Sequence, residues 1–179
     1  SGGTGLRGKA RAMNPIRCLK KVVYVVLAFM IGWYAYPLFK DAGAAKTFNR
    51  AARYYNKGKY ADAEKYFLIA AKDSIPEAYV NLGMMYFRGT GVEKDYKKAE
   101  SWLRLAAEHG FAEAQFCLGV IYLKDESKCS MPKALRWFLA AAVKGVREAS
   151  NNLGVMYEYG LGVQRDTVLA RMWYDVSNE

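Results

Sequence analysis

The chain has 179 residues, a formal net charge of +10, three cysteines and one histidine. That length holds one domain and little more, and so few scattered cysteine and histidine residues make no plausible zinc set. The positive charge is concentrated: Arg7, Lys9, Arg11, Arg17, Lys20 and Lys21 give residues 1–21 a charge of +6, leaving +4 for residues 22–179. No nucleic-acid partner is expected from a basicity placed at one end.

The chain opens Ser1-Gly2-Gly3-Thr4-Gly5, and Met13 is a candidate natural start with residues 1–12 as tag or read-through. Val22–Phe39 then gives 18 residues without a charge. As a helix rising roughly 1.5 Å per residue it spans about 27 Å, against a hydrocarbon core of about 30 Å. Trp33, Tyr34 and Tyr36 stand toward its distal end, where an interfacial aromatic belt sits. Three readings compete for residues 22–39: a retained signal anchor, a signal peptide cleaved near Ala42-Gly43-Ala44, and a packing helix. The first is adopted, with the basic segment 1–21 held in the cytoplasm by the positive-inside rule and the rest across the membrane. Cys18 precedes the apolar run, so it is wrongly placed for lipoprotein attachment.

Gly43-Ala44-Ala45 reads as a short hinge, followed by Ala51, Tyr54, Gly58, Tyr60, Ala63, Phe67 and Ala70 at helical-hairpin spacing. From Pro76 a fixed period governs the chain. Leu82-Gly83 returns as Leu118-Gly119 and Leu153-Gly154, steps of 36 and 35 residues. Tyr86, Ala99 and Trp102 return as Tyr122 and Tyr157, Ala134 and Ala170, and Trp137 and Trp173. A period of this size marks stacked repeats. Ala78, Leu82, Met85 and Tyr86 share one helical face, and Ala99, Trp102, Leu103, Ala106 and Ala107 share another, so each repeat is two helices. Four pairs are expected, over residues 44–75, 76–111, 112–146 and 147–179.

Between the helices, Gly89 supplies the positive φ that ends the first. Asp95, Ser130 and Asp166, each four residues before the recurring alanine, are expected to cap the second. Gly83, Gly119 and Gly154 each cost about 1 kcal/mol against Ala in a helix, so another backbone or a ring must press on them. Trp137, flanked by pairs on both sides, is expected to bury a ring worth about 3–5 kcal/mol, and Trp173 in the last pair less. The third linker, Lys124 to Ser130, is one residue shorter and lacks glycine, and the fourth repeat stops where the others continue with Ala-Ala and a glycine. Cys117 lies mid-helix and Cys129 in that linker, too far apart for a disulfide.

The motifs AEAxxxLGxxY at Ala112–Tyr122, GxGVxxD at Gly89–Asp95 and Gly160–Asp166, and KAxxWxxxAAxxG at Lys98–Gly110 resemble the Sel-one-like repeat, a relative of the tetratricopeptide repeat. The resemblance covers about residues 44–179. The first pair looks like an ordinary short-loop tetratricopeptide repeat, with Arg50 where that family usually has an apolar residue. The resemblance implies an all-α, right-handed superhelical solenoid of helix-turn-helix repeats, and the uncharged run 22–39 puts a single N-terminal transmembrane helix before it. It also implies binding of other proteins or peptides through a concave surface. Carried over from the tetratricopeptide relatives, the positions two before and two after the repeat leucine are Val80 and Met84, Phe116 and Val120, and Asn151 and Val155. Glu77, Glu113 and Glu148 edge the same surface. For the apolar members, packing of the solenoid interior is the competing reading.

No catalytic constellation emerges. His109 stands at a helix end, where the macrodipole favours it. The Gly89-x-Gly91 and Gly160-x-Gly162 loops lack the strand–turn–helix setting of a phosphate loop. Some members of the resembling family are associated with penicillin binding or hydrolysis, but no serine–lysine set of that chemistry is present. The reading is therefore a membrane-tethered, non-catalytic scaffold of a bacterial inner membrane, its repeats periplasmic and without a cofactor. The alternative is a secreted periplasmic repeat protein after signal cleavage, with a penicillin-related hydrolase activity.

Overall fold

The computed structural model describes residues 42–124 and 130–178. The basic segment 1–21, the apolar run 22–39 and residues 125–129 of the third linker, Cys129 among them, lie outside the described residues. Among the described residues there are eight helical segments and no strand. None of these helices is long and apolar enough to cross a membrane. The described residues from Gly43 onward form one compact unit.

α1 is helical over residues 42–56 of the described chain and pairs with α2 (Tyr60–Lys72). The following pairs are α3 (Pro76–Arg88) with α4 (Tyr96–Glu108), α5 (Ala112–Lys124) with α6 (Met131–Ala142), and α7 (Arg147–Tyr159) with α8 (Thr167–Asn178). Each second helix also packs on the first helix of the next pair. A single pair exposes too much apolar surface to stand alone, and stacking removes it from water. Leu82, Leu118 and Leu153 are fully buried, as are Ala99, Ala134, Ala106 and Ala141.

The helical glycines sit where a side chain meets their backbone. A Cβ on Gly83 would lie 2.6 Å from Leu103, one on Gly119 2.6 Å from Phe138, and one on Gly154 2.5 Å from Tyr174. In every repeat the pressing residue follows the recurring tryptophan. This corrects the expectation for Trp137, which is half-buried, while Phe138 beside it is fully buried. Neighbouring helix positions are about 100° apart, so only one of the two can point inward. Trp137 instead lies along the seam, packed against the core clusters on both sides of it.

Asp95 caps α4 by accepting from the N–H groups of Lys97 and Lys98, and Asp166 caps α8 through Val168 and Leu169. Ser130 stands at the same place before α6 but makes no side-chain cap. Pro132 occupies the second helical position, so one of the two N–H groups that a cap engages is absent, and the other, on Lys133, donates to the Ser130 carbonyl at 2.9 Å. The loops close on glycine: Gly89 and Gly160 end α3 and α7 at φ 75° and 68°. Gly91 and Gly162, also at positive φ, lie directly against Tyr60 and Met131, which begin the second helices of the preceding pairs. The loop thus needs its second glycine twice, for conformation and for room.

Tyrosine–glutamate bonds join successive pairs. Tyr86 donates to Glu64, and Tyr122 donates to Oε1 of Glu100 at 2.8 Å, each reaching the previous pair's second helix. Glu100 is buried and also accepts from Arg104 at 2.7 Å, so its charge is matched as burial requires. The bond to Glu64 pushes the Tyr86 hydroxyl up to about 12.

Candidate functional site

The repeats place three first helices, α3, α5 and α7, side by side. Across them runs an open groove of about 500 Å³ lined by Met84, Phe87 and Arg88 of α3, Glu113, Phe116 and Cys117 of α5, and residues 145–148 at the start of α7. A second, shallower concavity continues from Phe116, Arg147 and Glu148 to Asn151, Asn152 and Ser177. The volume falls within the roughly 300–1,000 Å³ of sites that enclose a ligand side chain or small molecule.

Four of the carried-over positions, Met84, Glu113, Phe116 and Glu148, meet in the groove, and Asn151 lines its extension. Val80 and Val120 are half-buried and pack against the core clusters, which is the interior role. Val155 is half-buried and Glu77 exposed, and neither lines the groove. The reason is geometric. The groove crosses the helices diagonally, from the C-terminal part of α3 to the N-terminal end of α7. Taking the same register in every repeat follows the helices straight across and misses Phe87, Arg88, Val146 and Arg147. Glu113 and Glu148 in the first turns were the legible signal. Arg88, at the opposite end of its helix, was not.

The floor is apolar and adaptable. Phe116 tilts against Phe138 with ring centres 5.8 Å apart, and Met84 lies with its Sδ 3.4 Å from Cys117 Sγ. A thioether and an aromatic ring on the same floor can repack around different apolar side chains. The rim is charged: Arg88 and Glu113 approach to 3.9 Å, both well exposed, a pairing worth at most about 1 kcal/mol and easily exchanged for a partner's charge. Burial, with a smaller push from Glu113, raises the Cys117 thiol to about 12. At neutral pH it stays protonated and acts as a small packing group, because the thiolate is the nucleophile. His109 forms the C-cap of α4 with its ring 6.0 Å from Tyr79, away from the groove lining. Among the described residues no group of His, Cys, Asp and Glu is arranged to hold a metal ion.

Comparison with known proteins identifies the repeats. The Sel1 repeat model matches residues 76–111, 112–146 and 147–175. Among solved structures, c5321, a protective antigen of uropathogenic Escherichia coli strains displaying an SLR fold, is 33% identical with a TM-score of 0.72, over 77% of this chain and 31% of that one. A Sel1 repeat protein from Oxalobacter formigenes is 30% identical with a TM-score of 0.66, over 75% of this chain and 56% of that one. Two curated proteins match over a single repeat's length. The ERAD-associated E3 ubiquitin-protein ligase component HRD3B of Arabidopsis thaliana is 43% identical over 44 residues, 25% of this chain and 7% of that protein. The corresponding component HRD3 of Candida glabrata is 49% identical over 43 residues, 24% of this chain and 5% of that protein.

Proposed function

The chain belongs to the Sel1 repeat family, and from that premise we propose that it is a non-catalytic scaffold that holds partner proteins in the α3–α5–α7 groove. The observation that carries this is the groove itself: an adaptable apolar floor of Met84, Phe87 and Phe116 edged by Arg88, Glu113, Arg147 and Glu148. Such a surface suits an extended or helical segment with one or two apolar anchors and flanking charges. The two curated relatives are named as components of a ubiquitin ligase, which agrees with a part that assembles proteins. The 18 uncharged residues of 22–39 support a tether to a membrane. We place that tether in a bacterial inner membrane and the repeats in the periplasm.

Reversing the rim tests the proposal. Glu113→Lys with Glu148→Lys alters two exposed charges without touching the core. Partners captured by crosslinking in the native host are expected to be lost from this variant and kept by Arg136→Glu, a control on α6 outside the groove. Equal capture by both variants contradicts the proposal.

A further inference from the structure

The repeat unit is not evenly charged. Residues 62–179 hold 15 Lys and Arg against 16 Asp and Glu, whereas residues 42–61 hold Lys46, Arg50, Arg53, Lys57 and Lys59 and no acid. The first four stand at i, i+4, i+7 and i+11, which places Lys46, Arg50 and Arg53 on one face of α1 and Lys57 in the turn that follows it. All four are exposed, and none takes part in an ion pair among the described residues. By contrast α3, α5 and α7 each carry a glutamate in the first turn. Arg50 lies 4.5 Å from the centre of the Tyr66 ring and 5.9 Å from that of Tyr54, and the two rings stack at 5.4 Å.

We infer that this stripe docks α1 onto anionic phospholipid headgroups. Its shape favours a plane over a pocket. The concavity bounded by Arg50, Arg53, Tyr54 and Lys57 is about 210 Å³, below the roughly 300 Å³ of a site that encloses a ligand. Three charges spread over about 10 Å of one helix face, with a fourth in the turn that follows it, match a lattice of headgroup phosphates better than a single anion. Tyr54 and Tyr66 are amphipathic rings of the kind that settle at headgroup depth. In the sequence the stripe begins seven residues after the uncharged run 22–39 ends, and basic clusters flanking a membrane segment are drawn to anionic lipid. The nearness of a membrane rests on the tether proposed above, whereas the charge of the stripe does not.

The test uses the full chain with vesicles of phosphatidylcholine alone and of phosphatidylcholine containing phosphatidylglycerol. Flotation on the neutral vesicles reports the tether. Acylation of Lys46 and Lys57 by an amine-reactive ester, read by peptide mass spectrometry, reports the stripe. On anionic vesicles both lysines are expected to react about five-fold more slowly, the effect of roughly one engaged basic residue, while Lys97 on α4 keeps its rate. The protection disappears in about 0.5 M salt, where screening is strong, and in Arg50→Gln with Arg53→Gln. Protection on anionic vesicles without flotation on neutral ones refutes the tether and upholds the stripe. Equal rates on the two compositions overturn the inference. So does protection by RNA or an acidic polypeptide with none from the anionic vesicles.

Discussion

Gly119→Ala sets two effects of opposite sign against each other. Helix propensity alone makes the change stabilising by about 1 kcal/mol. The structure says otherwise. The new methyl would lie 2.6, 2.7 and 3.0 Å from three atoms of the Phe138 ring, about 1 Å inside the ordinary approach of carbon atoms. Phe138 is fully buried and already tilted against Phe116, so its ring has nowhere to turn. Overpacking of this kind costs about 1–3 kcal/mol, and a clash with a whole trapped ring belongs near the upper end. The net expectation is a loss of about 2 kcal/mol by urea denaturation followed through tryptophan fluorescence. Two companions separate the causes. Gly43→Ala, where a Cβ meets nothing within 4 Å, is expected to be neutral or slightly stabilising. Phe138→Leu in the Gly119→Ala background is expected to cost less than in the wild type, since the smaller side chain leaves room for the methyl. If Gly119→Ala is as stable as the wild type or more so, the account of the glycine column is wrong.

Phe138→Ala, emptying a fully buried ring site, is expected to cost about 3–5 kcal/mol in the same assay, with Trp137→Ala costing less and Trp173→Ala less again. Asp95 is held below its ordinary value by the backbone N–H of Lys98 first and that of Lys97 next. A depressed carboxylate contributes stability that is present above the unfolded-state value near 4 and lost as the pH falls through the folded one. The stability gap between wild type and Asp95→Asn is therefore expected to close below about pH 4 in acid titrations of unfolding. Protease added outside spheroplasts is expected to digest the repeats and leave the N-terminal segment, and protection of the repeats refutes the proposed orientation.

The repeat was legible because packing repeats. Leu82, Leu118 and Leu153 fill the same hole, so the same residue type returns at each, and the glycines and alanines beside them mark close approach. Where two neighbouring positions are both large, as at Trp137 and Phe138, size alone does not say which faces the core; the clash on Gly119 does. Ser130 has the chemistry of a cap, and Pro132 two positions later removes one of the two donors that a cap can use, while the other turns to the Ser130 carbonyl. The groove was half legible. Glu113 and Glu148 sit at the same register, but the line between repeats runs diagonally and takes in Phe87 and Arg88 from the far end of α3. The basic face of α1 was hidden inside a net charge averaged over residues 22–179.

The groove is the central claim, and photocrosslinking from single positions tests it most directly. A photoreactive amino acid is placed in turn at Glu113, Glu148, Arg136 and Met172, all exposed. Illumination in the native host is expected to give an adduct of the same mass from Glu113 and Glu148 and none from Arg136 or Met172. Adducts from Arg136 or Met172 with none from the two groove positions contradict the account.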